Sequence, residues 1–585
     1  MDWERVSRTR RTRRWVLRAA MGAAGATGLA AVGCNGEKRP PPTPQSDASP
    51  TAAPAGSVQP STTPSSGAHF GGTLRHTGFV VSDDSAGRFD PHKTQVGPVY
   101  GQQSLVMSRL LTYESQAEGT IVPDLAKEMP EQPDGQTYVF RLHPTARWHE
   151  IAPVGGRQVT GEDVKYSIER QLQGDASFIR KARWTNVDGI DVTSPDTVTI
   201  RLKAPLAAMT QQFADVNAFI VAPEMDEAGF TADAQCGTGP FTWVEWSEQS
   251  FASVARNPAW FGGNDRPYLD GIDLFQPRDS AEVEAWFRTK RIDAAFLGRP
   301  QADKLREVIP ELQEATVGHS RFFGMRFFLP QFPYNHVNFR TAVSIAIDRR
   351  AMLERFFAGS GEINPWISWP ISKWSLPQAE LVKLPGYRTG SQGREEDIRE
   401  AKALLDAFKG ENKLPDDPLT LIVVDEAERS VGMGSFIEEQ LKSTLGLNIT
   451  VFPTTAADLG KRLLTDEAPW AVGPDDGWID LDDWVFPYFH SEGTKNTFPL
   501  RDTDMDTLIA AQRVELNEER RRQIGYDIQR KLLQLNAGIN FVSERVVSLT
   551  WPYVKNLPLD ASDGYQHRFA DCWIDHADPG FRGRG

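Results

Sequence analysis

The sequence predicts an α/β fold in more than one domain, and two observations carry that prediction. Apolar residues switch period along the chain between two and three-to-four, the signatures of strand and helix, and between residues 419 and 451 they do so in the order strand, helix, strand. The chain is also 585 residues long, beyond what one hydrophobic core usually serves. A hydrophobic content of 40% with 24% charged residues is ordinary for a globular chain. The formal net charge of -14 opposes any broad phosphate-binding surface, so nucleic acid is excluded as a main partner. Three cysteines, Cys34, Cys236 and Cys572, rule out a disulfide-rich scaffold and any multi-cysteine zinc module. In an oxidising compartment Cys236 and Cys572 either pair or stand as two buried thiols.

The first 33 residues read as an address rather than a fold. Arg5, Arg8, Arg10, Arg11, Arg13, Arg14 and Arg18 form a basic region, and residues 19–32 are uncharged and mostly Ala and Gly. That run is too short and too weakly apolar to span a bilayer stably. The segment from Thr12 to Arg18, with Arg13-Arg14 followed by Trp15-Val16-Leu17, resembles the twin-arginine export signal, the alternative being an ordinary secretory signal with surplus arginines. Ala31-Val32-Gly33-Cys34 resembles a lipoprotein box, with Ala31 where Leu is usual. Lipidation of Cys34 would follow, and more than one acyl chain makes a stable anchor. Residues 34–69 then form the anchor and a tether: from 39 to 68 the chain is mostly Pro, Ser, Thr, Ala and Gly with hardly a bulky apolar residue, which cannot bury enough surface to order itself. No later run is long and apolar enough to span.

From residue 70 onward the elements can be taken in order. Tyr138, Phe140 and Leu142 alternate as a strand, as do Val198, Ile200 and Leu202. Thr160-Gly161-Glu162-Asp163 is a helix-start box ahead of Val164 and Ile168. Asp134-Gly135 is a turn signal between apolar runs. Ala401, Leu404, Leu405 and Phe408 recur at helical spacing, predicting a helix over 395–409. Residues 419–424 are a buried strand; Ile437, Leu441 and Leu445 make a helix face that Gly446 can close; Leu447, Ile449 and Val451 alternate again. This is a parallel strand–helix–strand unit.

A series of motifs carries a resemblance. Gly71-Gly72-Thr73-Leu74 and Phe89-Asp90-Pro91 open it, followed by Val122-Pro123-Asp124-Leu125-Ala126 and by Asp134-Gly135-Gln136-Thr137-Tyr138-Val139-Phe140. Ala146-Arg147-Trp148-His149, Val159-Thr160-Gly161-Glu162-Asp163-Val164, Gly237-Thr238-Gly239-Pro240-Phe241 and Tyr268-Leu269-Asp270-Gly271-Ile272 continue it. Asn338-Phe339-Arg340-Thr341-Ala342, Ala346-Ile347-Asp348-Arg349 and Gly477-Trp478 follow more loosely. Each motif alone is weak, but the ordered series from about residue 70 to about 560 resembles the solute-binding receptors of ABC importers, of the oligopeptide, dipeptide and nickel type. Asp134-Gly135, Gly237 and Gly239 also have purely structural readings, and Trp148 reads as core.

The resemblance implies an α/β, two-lobed periplasmic-binding-protein fold with a hinged cleft. Its first lobe spans 70–320 and carries an extra subdomain, its second lobe spans 321–540, and 541–585 return to the first lobe and form the tail. The chain would cross between lobes near 322–328 and 539–547, and closure would capture a small solute, usually a peptide, for delivery to membrane permease subunits. The receptor would be a monomer without a cofactor. In peptide-binding relatives an aspartate just after the Gly-Trp pair faces the ligand's amino group, which makes Asp480 the candidate here, with Trp478 as an adaptable wall. The loop is one residue shorter than usual, and Asp483-Trp484 stands in place of Asp-Pro. The clustered acids leave a metal site as a rival, but no Gly-containing calcium loop is present. Trp366 and Trp369, in an aromatic stretch that ends at Trp374, are further candidates for the cleft, with burial in the core as the plain alternative. Asp502, Asp504 and Asp506 lack the calcium-loop Gly and Glu and read as a helix start. No catalytic signature is found, so the chain is expected not to be an enzyme. The competing classes are a twin-arginine-exported enzyme, which would need a metal or cofactor constellation, and a sensory or chaperone-like binder on the same fold.

Overall fold

In the computed structural model, the described residues are 67–78, 89–94, 97–175, 177–231, 234–248, 250–263, 265–363, 366–367, 373–424, 428–465, 467–475, 479–497, 499–560 and 563–584. The export and lipidation residues Arg13, Arg14 and Cys34, and the tryptophans Trp369 and Trp478, lie outside them.

One mixed sheet organises the molecule, and two long antiparallel strands, Gln313–Phe327 and Gly538–Thr550, run through its middle. On one side Thr73–Thr77 lies parallel to both Gly271–Phe275 and Ala294–Leu297, with an antiparallel extension through Phe251–Arg256 and Phe241–Ser247. On the other, Leu419–Val424 lies parallel to both Ile449–Thr454 and Trp470–Asp475. The long strands serve both sides. Gln313 to Gly318 pair with Arg545 to Thr550 next to the first set, the register shifts before Phe322, and Phe322 to Phe327 then pair with Trp470 to Asp475. A chain that crosses twice through one strand pair, with an irregularity between its halves, has the architecture of two lobes on a hinge.

The predicted strand–helix–strand unit forms as read. Ile437 and Leu441 of the helix Glu428–Leu445 are fully buried, and each such burial is worth about 1.5–3 kcal/mol. Gly446 ends that helix at a φ of 66°, a conformation favourable only without a Cβ. The helix expected over 395–409 is longer, Gly390–Glu411, because Arg388 and Arg394 anchor its first turns, Arg388 on Asp397 and Arg394 on the Ile345 carbonyl.

The extra subdomain is a three-stranded antiparallel sheet, Thr137–Arg141, Thr197–Leu202 and Val187–Ser194, covered by the helix Gly161–Gln173. That helix opens with the expected box: the Thr160 amide donates to the Asp163 carboxylate at 2.9 Å. Two motifs far apart in sequence meet beside it. The His149 amide donates to the Gly237 carbonyl at 2.9 Å and the His149 Nε2 contacts the Gly239 carbonyl at 3.1 Å. A Cβ on Gly237 would lie 1.9 Å from the Val106 carbonyl oxygen, so glycine is required there by close approach. Trp148 is buried, as expected of core.

Cys236 and Cys572 are both free and buried, so the possible pairing is absent. The Cys236 thiol faces the His149 carbonyl in the core shared with the subdomain, and Cys572 packs in the core of the first strand set. Each is buried among the apolar neighbours of a different cluster.

Candidate functional site

Parallel α/β sheets leave a crevice outside the carboxyl ends of their strands, and a cavity lies there. It has a volume of about 500 Å³ and is walled by Thr77, Gly78, Gln276 and Phe296 at the ends of the first strand set. Val317, His319, Arg321, Glu544 and Val546 of the crossing strands, and Asp560, Asp563 and Gln566 of the C-terminal segment, complete it. A cavity of that size suits a small solute.

A smaller cavity of about 50 Å³ sits on the other side of the crossing strands, among Phe322, Trp366, Trp484, Tyr488 and Phe489. The Trp366 ring meets Phe489 edge-on at 4.8 Å, and Phe322 meets Trp484 at 5.4 Å. Asn540 of the returning strand donates to the Trp366 carbonyl at 2.9 Å and fixes the aromatic segment to the hinge. Burial pushes the Arg326 guanidinium, which lines this cavity, below its ordinary basicity. Trp366 thus borders a cavity while being almost fully buried, at 5% exposure.

The acidic loop after the Gly-Trp pair runs into the helix Leu481–Phe489. Asp480 caps that helix, accepting from the Asp482 amide at 2.9 Å. Its carboxylate is also held by both terminal nitrogens of Arg521, at 2.6 and 2.9 Å, with side-chain exposures of 1% and 3%. A ligand ammonium reaching Asp480 would therefore have to displace a bidentate arginine. Asp483 is held at 2.7 Å by Arg183 of the subdomain, which in turn holds Asp215 at 2.7 Å. Burial pushes the Asp483 carboxyl up, with Asp480 and Asp215 adding to the rise against the pull of Arg183. These contacts join the second strand set to the subdomain, as does the Ala207 amide, which donates to the Arg513 carbonyl at 2.7 Å.

Of the residues named from the sequence, Asp480, Asp483 and Trp366 come together on one flank of the crossing strands. Their arginine partners Arg521 and Arg183 were not legible. Asp560 was also missed; it stands in a stretch whose sequence signals only turns. Asp502 caps the helix Thr503–Val514 through the Met505 amide, as read. Among the described residues no three His, Cys, Asp or Glu side chains are grouped to hold a metal, and no helix is long and apolar enough to cross a membrane.

Comparison with known proteins follows the geometry. The family described as bacterial extracellular solute-binding proteins, family 5, middle region, matches residues 120–497. A putative ABC transporter peptide-binding protein of Brucella ovis is 27% identical over 195 residues, 32% of this chain and 35% of that protein. The glutathione-binding protein of Salmonella typhimurium is 27% identical over 291 residues, 47% of this chain and 53% of that one. The chain thus matches between about a third and a half of the length of these curated relatives. The ABC transporter-associated periplasmic binding protein of Helicobacter pylori, solved with the peptide STSA, superposes with a TM-score of 0.70 at 16% identity over 87% of this chain and 99% of that one. That likeness establishes the two-lobed fold. With its family signature covering well over half its length, the chain belongs to the bacterial extracellular solute-binding proteins of family 5, which are binding proteins and not enzymes.

Proposed function

We propose that this chain is the exported receptor of an ABC importer, held at the membrane by lipid on Cys34, which captures a small solute and passes it to a permease. The observation that carries the reading is the cavity of about 500 Å³ set at the carboxyl ends of parallel strands and walled by both crossing strands. In this reading lobe I is 70–320 with its inserted subdomain, lobe II is 321–540, and 541–585 return to lobe I. Both boundaries fall inside the long strands, where a small change of backbone angle swings one strand set against the other. A peptide is the favoured solute, given the peptide- and glutathione-binding relatives. Trp366 borders the smaller cavity beyond the crossing strands and not this one, and Trp369 and Trp478, outside the described residues, stay candidate apolar contacts for the solute from the sequence alone. In this reading Asp480 and Asp483 act through their arginines, fixing the start of the helix Leu481–Phe489.

Cell fractionation with uptake tests the reading. Replacing Arg13 and Arg14 by Lys is expected to keep the chain in the cytoplasm, and Cys34→Ala to release it from the membrane fraction, each abolishing uptake of labelled peptides. Uptake that persists in cells lacking the chain would refute the receptor role.

A further inference from the structure

The wall of the larger cavity carries four carboxylates, and three are already engaged. Asp279 caps the helix Ser280–Arg288, accepting from the Glu282 amide at 2.9 Å. Glu544 is ion-paired with Arg429. Asp563 lies against the start of the helix Gly97–Val106 and is not free there. Asp560 differs. Its Oδ1 accepts from Arg568 at 3.0 Å, while its Oδ2 is buried with no hydrogen-bond donor. The side chain is only 4% exposed, yet it lines the cavity. A buried carboxylate oxygen left without a donor is costly, and a ligand donor that fills it recovers that cost on binding.

The donor can be specified further. Asp560 has Arg568 as its one cationic partner, and the cavity wall sets four carboxylates, Asp279, Glu544, Asp560 and Asp563, against one arginine, Arg321, an acidic balance that favours a cation over a neutral amide or hydroxyl. A charged nitrogen on a carboxylate forms a hydrogen bond about twice as strong as a neutral one. We propose that Asp560 binds a positively charged nitrogen of the captured solute, so that the cleft selects solutes carrying an ammonium or guanidinium group. The inference rests on the reading of this cleft as the solute site, and names the chemistry it selects.

The test uses the full chain and a pooled library of tripeptides made from Ala, Leu, Phe, Ser and Asp, with free or acetylated amino termini. Spermidine and free arginine serve as cations without a peptide bond. The readout is the concentration that gives half the maximal rise in thermal midpoint. The expected result is that free-amine tripeptides bind at least tenfold better than acetylated ones, and that Asp560→Asn brings this ratio close to one. Arg568→Gln, which removes the competing cation, is expected to raise the ratio at least threefold, and decides the matter if Asp560→Asn fails to fold. Equal binding of both libraries, or a ratio unmoved by either variant, overturns the proposal while leaving the receptor reading intact. Binding of spermidine or arginine through Asp560 without tripeptide binding keeps the site and removes the peptide. If no probe binds, both fall.

Discussion

At the scale of single residues, the Asp480–Arg521 pair decides how the acidic loop is understood. Two charges this deeply buried are stable only together, because neither can recover its lost hydration alone. Asp480→Ala is therefore expected to destabilise the solute-free protein by about 3–5 kcal/mol, measured by chemical denaturation. Unchanged stability with lost solute affinity would instead place Asp480 on the ligand. His149 gives a second expectation. Its Nδ1 receives the Gly237 amide at 3.4 Å and its ring is buried, which pulls its pKa down from 6.5 to about 4. The unfolded chain takes up that proton first, so the stability His149 contributes is full above pH 6.5 and is lost as pH falls toward 4. The stability gap between wild type and His149→Gln should shrink by about 3 kcal/mol over that range, followed by denaturation at each pH. Trp148-His149 and Gly237-Thr238-Gly239 were recognisable as motifs, but their mutual contact was not, since 88 positions separate His149 from Gly237.

At the scale of elements, regular periodicity was readable and tertiary pairing was not. The strands at 419–424 and 138–142 and the helix face of Ile437, Leu441 and Leu445 announced themselves because burial imposes a period on apolar residues. The helix Leu481–Phe489 did not, since its nine residues hold two aspartates at one end, next to the capping Asp480, and Pro487 within. One contact that ties that helix to the subdomain is the ion pair of Asp483 with Arg183 at 2.7 Å, a residue 300 positions earlier that carries no local signal. Arg183→Ala should remove the strongest charged contact between this helix and the subdomain. The expected outcome is a larger radius of gyration for the solute-free protein by small-angle X-ray scattering, returning to the wild-type value when solute is added. An unchanged radius would mean that the apolar packing alone keeps the two parts together.

At the scale of the whole molecule, the sequence announced two lobes through its ordered motifs, and the structure supplies the means of their coupling. Gln313–Phe327 and Gly538–Thr550 are shared by both strand sets, so the cavity wall and the hinge are built from the same residues. The location of that cavity could not be read from the sequence, because it draws on at least five separate segments that only the fold brings together. Solute capture by such a cleft is the central claim, and native mass spectrometry of the full chain, purified gently and then exposed to a peptide digest, tests it most directly. The account predicts a one-to-one non-covalent adduct of a small solute that is lost on denaturation. A bare chain mass under both conditions would contradict it.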